Sequence, residues 1–98
     1  MKVLMRKKII EFCNQGDAKA RKLLSAWLHE TENATWRTPS DIRRTSRTAD
    51  FLTDNRVIFN LGGNDYRIVV RVDYLQQALI IRWVGYHKDY DKIDASNV

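Results

Sequence analysis

The sequence predicts one α+β domain: a short N-terminal strand and a helical hairpin packed on a mainly antiparallel sheet, closed by a short C-terminal helix or turn. Three observations carry this reading. Apolar residues recur at helical spacing through the first third of the chain, then alternate with a period of two from residue 56 onward. Gly62-Gly63-Asn64 breaks the alternating region where a tight hairpin turn would fall. The 98 residues give room for one core and not two, so residues 1–98 are read as a single domain.

Lys2 to Met5 reads as a first strand with Val3 and Met5 on one face. From about Arg6 the period changes: Met5, Ile9, Phe12 and Cys13 line one side of a helix and Arg6, Lys7 and Lys8 the other. Gly16 suits the end of that helix, and Asp17 suits the N-cap of the next, which runs to about Asn33 with Ala20, Leu23, Leu24, Trp27 and Leu28 as its apolar stripe. Thr38-Pro39-Ser40-Asp41 starts a third, short helix, with Thr38 as cap and proline in the first turn. Arg56 to Leu61 forms a strand with Val57, Phe59 and Leu61 on one face. Asp65 to Tyr74 returns with Tyr66, Ile68, Val70 and Val72 inward and Arg67, Val69 and Arg71 outward. Ala78 to Gly85 follows, with Leu79, Ile81 and Trp83 on one face and Ile80, Arg82 and Val84 on the other. The hairpin of helices is expected to cover the apolar face of this meander and to leave the arginine face open, rimmed by GYHKDYDKID at residues 85–94.

Composition narrows the function classes. No apolar run approaches the ~20 residues of a membrane span, and the basic start MKVLMRKKII lacks the apolar stretch and cleavage site of a secretory signal. The single Cys13 allows no internal disulfide, and no Cys/His cluster has zinc-ligand spacing. A cytoplasmic protein without membrane contact, metal or cofactor is expected. The net charge of +5 favours a polyanionic partner, either nucleic acid or an acidic protein.

Arg67 and Arg71 point the same way about 13 Å apart on one strand, and Arg82 can join them from the next. Singly, such arginines are ordinary on an exposed sheet. Together beside His87, Lys88 and Tyr90 they form a set that can grip phosphate and move protons. His87 alone also reads as an ordinary histidine at the edge of the core. The basic stretch holding Arg37, Arg43, Arg44 and Arg47 reads equally as a solvated connector or as a loop that contacts phosphates or a partner. There is no glycine-rich phosphate loop, nucleophile elbow, carboxylate triad or metal-ligand set. Metal-free RNA cleavage is compatible with what remains: a base for the 2′-hydroxyl, an acid for the leaving 5′-oxygen and cations around the phosphorane.

The run RVIFNLGGNDYRIVVRVDY followed by IRWVGYHKDYDKID resembles the HigB branch of the RelE-like toxins of bacterial toxin–antitoxin modules, over roughly residues 49–95. The resemblance implies a RelE-like fold and an mRNA interferase that enters the ribosomal A site and cuts the message there. It implies a cognate helix-turn-helix antitoxin similar to HigA, with operator DNA bound only through the toxin–antitoxin complex. Position by position, Arg67 matches the arginine at the scissile phosphate, His87 the place of a basic residue that can serve as acid, and Tyr90 the aromatic residue of the tail. Asn60 stands where some relatives have lysine, and Tyr86 where threonine is usual in the branch. Asn60, Arg71, Arg82 and Lys88 then fall among substrate-binding residues, and Arg43, Arg44 and Arg47 become candidates for binding ribosomal RNA. Two other readings stay open: a ribosome- or RNA-binding module that uses the same basic face without cutting, and a degenerate toxin kept as a regulatory partner of its antitoxin.

Overall fold

A computed structural model describes residues 1–15 and 17–98; Gly16, expected to close the first helix, lies outside the described residues. Strand β1 (Lys2–Leu4) leads into α1 (Lys7–Cys13) and α2 (Ala18–Glu32). Asp17 caps α2, its Oδ1 accepting from the Ala20 amide at 3.0 Å. Ala20, Leu24, Trp27 and Thr31 are buried along one stripe of α2, a spacing that keeps them on one side of a helix. Helix α3 (Pro39–Thr45) opens with a full capping box between Thr38 and Asp41, and its Ile42 is fully buried.

The remaining elements are β2 (Asp50–Phe51), β3 (Arg56–Leu61), β4 (Tyr66–Asp73), β5 (Ala78–Tyr86) and a one-turn helix α4 (His87–Tyr90). They build one sheet in the order β1-β5-β4-β3-β2, antiparallel except for the parallel pair β1–β5. Gly62, Gly63 and Asn64 all take positive φ in the β3–β4 turn, as the expected hairpin requires. Val57, Phe59, Ile68, Val70, Leu79 and Ile81 form the inner face of the sheet and are almost wholly buried with Ile9, Phe12, Leu24 and Trp27. Each such side chain contributes about 1.5–3 kcal/mol through removal from water. Phe59 is held between two indoles, stacked on Trp36 at 5.9 Å and edge-on to Trp27 at 5.3 Å.

Four details differ from expectation. Met5 joins neither the strand nor the helix stripe; it takes φ 64° and stays half exposed. Strand β2, too short to show a period, adds an edge outside β3. The alternation of β5 is broken by a bulge: Val70 pairs with Ile81 but Val69 pairs with Trp83, which leaves Arg82 as the extra residue. Trp83 is therefore turned away from the face shared by Leu79 and Ile81, and Val84 turns inward in its place. Finally, the outer face is not left open along its length. The C-terminal segment folds back over it, and Ile58, Val69 and Ala95 are buried there with Trp83, Tyr90, Ile93 and Val98 packed around them. Buried Arg56 anchors the segment, its Nη1 donating to the Ala95 and Val98 carbonyls at 3.1 and 2.9 Å.

Candidate active site

Arg67 stands on the outer face, directly across from Asn60 on β3 and Gly85 on β5. Its guanidinium lies 4.5 Å from the centre of the Tyr90 ring. Tyr90 in turn meets the Trp83 ring edge-on at 6.1 Å. The bulge in β5 brings Trp83 to this face, and Gly85 makes room for it: a Cβ there would lie 2.5 Å from a ring carbon of Trp83. Burial raises the Tyr90 phenol above its ordinary value against the opposing pull of Arg67, so at neutral pH Tyr90 is a phenol and a proton donor.

Asn60 donates from Nδ2 to the Thr48 carbonyl at 2.6 Å. Its Oδ1 and the Nε of Arg67 are both buried and have no protein partner. The bond to Thr48 also ties the chain just after Arg47 to β3. Arg43 lies over the Phe51 ring at 4.8 Å, and Arg44 sits 3.7 Å from Asp41. With Ser40, Arg43, Arg44 and Arg47 line an open depression of about 540 Å³.

Arg71 and Arg82, expected to join Arg67, do not converge with it. Arg71 binds the Asp54 carboxylate at 2.9 Å, and Arg82 donates to the Val98 carbonyl at 2.9 Å. Each has an acceptor close by, so neither is drawn along the sheet toward Arg67.

His87 and Lys88 begin α4, three and two positions before Tyr90. The His87 amide donates to the Asp65 carbonyl at 2.9 Å, which fixes the end of β5 to the β3–β4 turn. Both side chains line a depression of about 440 Å³ together with Asn64, Asp65, Tyr66 and Tyr86. Lys88 lies 5.3 Å from the centre of the Tyr86 ring, and Lys19 is ion-paired with Asp65. Tyr66 and Tyr86 both donate to Oδ2 of Asp17, at 2.8 and 3.1 Å. Burial and these bonds push the Tyr66 phenol up to about 12 and raise Tyr86 as well. The backbone bond from Ala20, with the tyrosine hydroxyls behind it, lowers the Asp17 carboxyl. Tyr86 is thus an anchor for the start of α4.

Sequence reasoning missed Trp83 and Asp17 as parts of this region. A glycine two residues after the tryptophan was the one mark of the first; the second needed the register of β4 and β5. Among the described residues no three His, Cys, Asp or Glu side chains gather as a metal site.

Comparison with known proteins adds a second line to this geometry. Residues 20–93, three-quarters of the chain, match the family model HigB_toxin, described as the RelE-like toxic component of a toxin–antitoxin system. The chain belongs to the HigB family. The match takes in α2 and α3 as well as the motif run of the sheet. Among curated HigB proteins, the "mRNA interferase toxin HigB" of Escherichia coli K12 is 45% identical over 38 residues. The "mRNA interferase HigB" proteins of Escherichia coli O157:H7 and Shigella flexneri align to the same extent. The aligned stretch covers 39% of this chain and 36% of each relative, so the chain spans about a third of the length of these HigB proteins in alignment. In this HigB-family sheet Arg67 and Tyr90 are in contact, whereas His87 lines a separate depression with Tyr66 and Tyr86.

Proposed function

We propose that this chain is a ribosome-dependent mRNA endoribonuclease toxin, which enters the ribosomal A site, cuts the message and stops translation. The observation that carries the reading is the Arg67 guanidinium set against Tyr90 at the end of the outer face, in a chain of the HigB family. The reaction joins the 2′-oxygen to phosphorus as its proton passes to solvent water, and breaks the bond to the 5′-oxygen, which takes up a proton, leaving a 2′,3′-cyclic phosphate and a 5′-hydroxyl. Arg67 offers its N–H groups to the non-bridging oxygens as their charge grows. Tyr90, kept a phenol by burial, offers a donor and an aromatic edge to the substrate. His87 supplies the proton for the leaving oxygen as a general acid. Lys88 adds positive charge at the same turn, and Arg71 and Arg82 extend the basic face.

Arg43, Arg44 and Arg47 hold ribosomal RNA, whose phosphate density draws a +5 domain. The cognate partner is a helix-turn-helix antitoxin similar to HigA, and operator DNA is bound through their complex. The toxin acts in the cytoplasm, needs no metal or other cofactor, and makes no membrane contact; no helix among the described residues is long and apolar enough to cross one.

The test is primer extension on a defined message with purified ribosomes. New 5′ ends that require both the chain and the ribosome are expected. They should fall by roughly a hundredfold or more in Arg67→Ala and Tyr90→Ala proteins that melt normally. Parental cutting by the variants would move the site elsewhere. Ribosome binding with no new ends would make the chain a binding module.

A further inference from the structure

Among the described residues the outer face holds three buried polar atoms without a protein partner: Nε of Arg56, under the C-terminal segment, and Oδ1 of Asn60 and Nε of Arg67, on residues opposed in the β3–β4 ladder. Asn60 and Arg67 are directly opposed in the β3–β4 ladder, and both side chains leave the sheet on the outer face. Directly opposed residues of an antiparallel pair have their Cβ atoms about 4.5–5.5 Å apart. The Asn60 amide cannot turn to pair with itself or its neighbours: a carbonyl accepts and never donates, so Thr48 fixes Nδ2 toward itself and leaves Oδ1 facing away. Oδ1 of Asn60 and Nε of Arg67 are each buried without a protein partner. Leaving such groups unmatched is unfavourable, which favours any occupant able to satisfy both.

The chemistry of the pair specifies that occupant. It must donate to Asn60 and accept from Arg67. A phosphate oxygen can only accept, and would face the amide oxygen unfavourably; an ammonium can only donate. A hydroxyl does both. We infer that Asn60 and Arg67 together seat the ribose 2′-hydroxyl next to the scissile phosphate, with Asn60 accepting from it and Arg67 bridging it to the phosphate. This inference rests on the ribonuclease reading above and gives Asn60 a defined role within it. The Tyr90 ring lies over the Arg67 guanidinium from a one-turn helix with no fully buried side chain, so seating the sugar requires that ring to shift. Because an amide oxygen is too weak a base to keep the proton, Asn60 orients the hydroxyl toward phosphorus and does not deprotonate it.

Two substitutions separate this role from a structural one. Asn60→Ala removes both the acceptor and the bond to Thr48. Asn60→Asp removes the bond to Thr48 but keeps an acceptor facing the sugar. Single-turnover cleavage on programmed ribosomes should lose roughly tenfold to hundredfold in saturating rate in Asn60→Ala. The concentration giving half the maximum should stay unchanged, and Asn60→Asp should recover most of the rate. An Asn60→Ala protein that cuts at the parental rate would show that the pair holds only water. Equal losses in Asn60→Ala and Asn60→Asp would show that Asn60 acts through Thr48. A loss of ribosome affinity without loss of saturating rate would likewise overturn the seat. A parent that produces no new 5′ ends rejects the ribonuclease reading, and this inference with it; a cutting parent with an indifferent Asn60→Ala rejects this inference alone.

Discussion

Gly85 and Asp17 each hold the site without touching it. A methyl group at Gly85 would meet the Trp83 ring at 2.5 Å, so Gly85→Ala displaces the indole that backs Tyr90. Cleavage should fall roughly tenfold to hundredfold, in keeping with the cost of small misplacements in an active site, and the tryptophan emission should shift while far-ultraviolet circular dichroism stays the same. Asp17 joins the N-terminus of α2 to Tyr66 and Tyr86 through one carboxylate. Its acidity is raised on folding, so its contribution is present above the ordinary carboxylate value near 4 and is lost as the pH falls through the lower folded value. Asn is also a good N-cap, so Asp17→Asn removes mainly the charged acceptor for the two phenols. Thermal melts should place the variant below the parent at pH 7, with the two curves converging below about pH 4. Tyr66 gives the opposite limb. Its phenol is raised to about 12, so its stabilisation is intact below the ordinary tyrosine value and is lost as the pH climbs from there toward about 12.

At the level of elements, the helices and the β3–β4 hairpin were readable because each has a local cause: a periodic stripe in α2, the Thr38–Asp41 box in α3, and three residues at positive φ in the turn. The bulge in β5 was not, because a single extra residue leaves strict alternation looking intact, and Trp83 reads as one more inward apolar side chain. Strand β2 has two residues and no period to read. The contact between Arg67 and Tyr90 follows from motif order and a return by α4, whereas the separation of Arg71 and Arg82 depends on acceptors that only the folded chain places, Asp54 and Val98. The C-terminal segment is the element whose role was least readable, since its apolar residues Ile93, Ala95 and Val98 are too few to form a pattern. Its hold depends on Arg56. Arg56→Ala should cost about 2–4 kcal/mol, from two charged hydrogen bonds and the lost packing of the stem. Limited proteolysis should then cut first within residues 91–98, and a parental digestion pattern would show the segment to be held by its apolar contacts alone.

Across the molecule, Arg43, Arg44 and Arg47 form a basic surface apart from the Arg67–Tyr90 contact of the outer sheet face. Replacing these three arginines by alanine should weaken ribosome binding and make its log–log salt slope shallower by roughly two to three, without altering the saturating cleavage rate. Equilibrium binding from 50 to 300 mM salt, about the range over which counterion release dominates, checks this. The sheet order also has a consequence in time. Strand β1 lies at one edge and pairs in parallel only with β5, so Lys2 meets Ala78 only after all the elements between them have been made. Closing so long a loop is the slow, entropically costly step of such a topology. Until β5 is available, β1 has no partner, Arg67 has no Gly85 beside it, and α4 has no strand to start from. Under the function proposed above, the cutting face cannot assemble before β5 and α4 are both in place, so the short strand at the far edge of the sheet also times the activity.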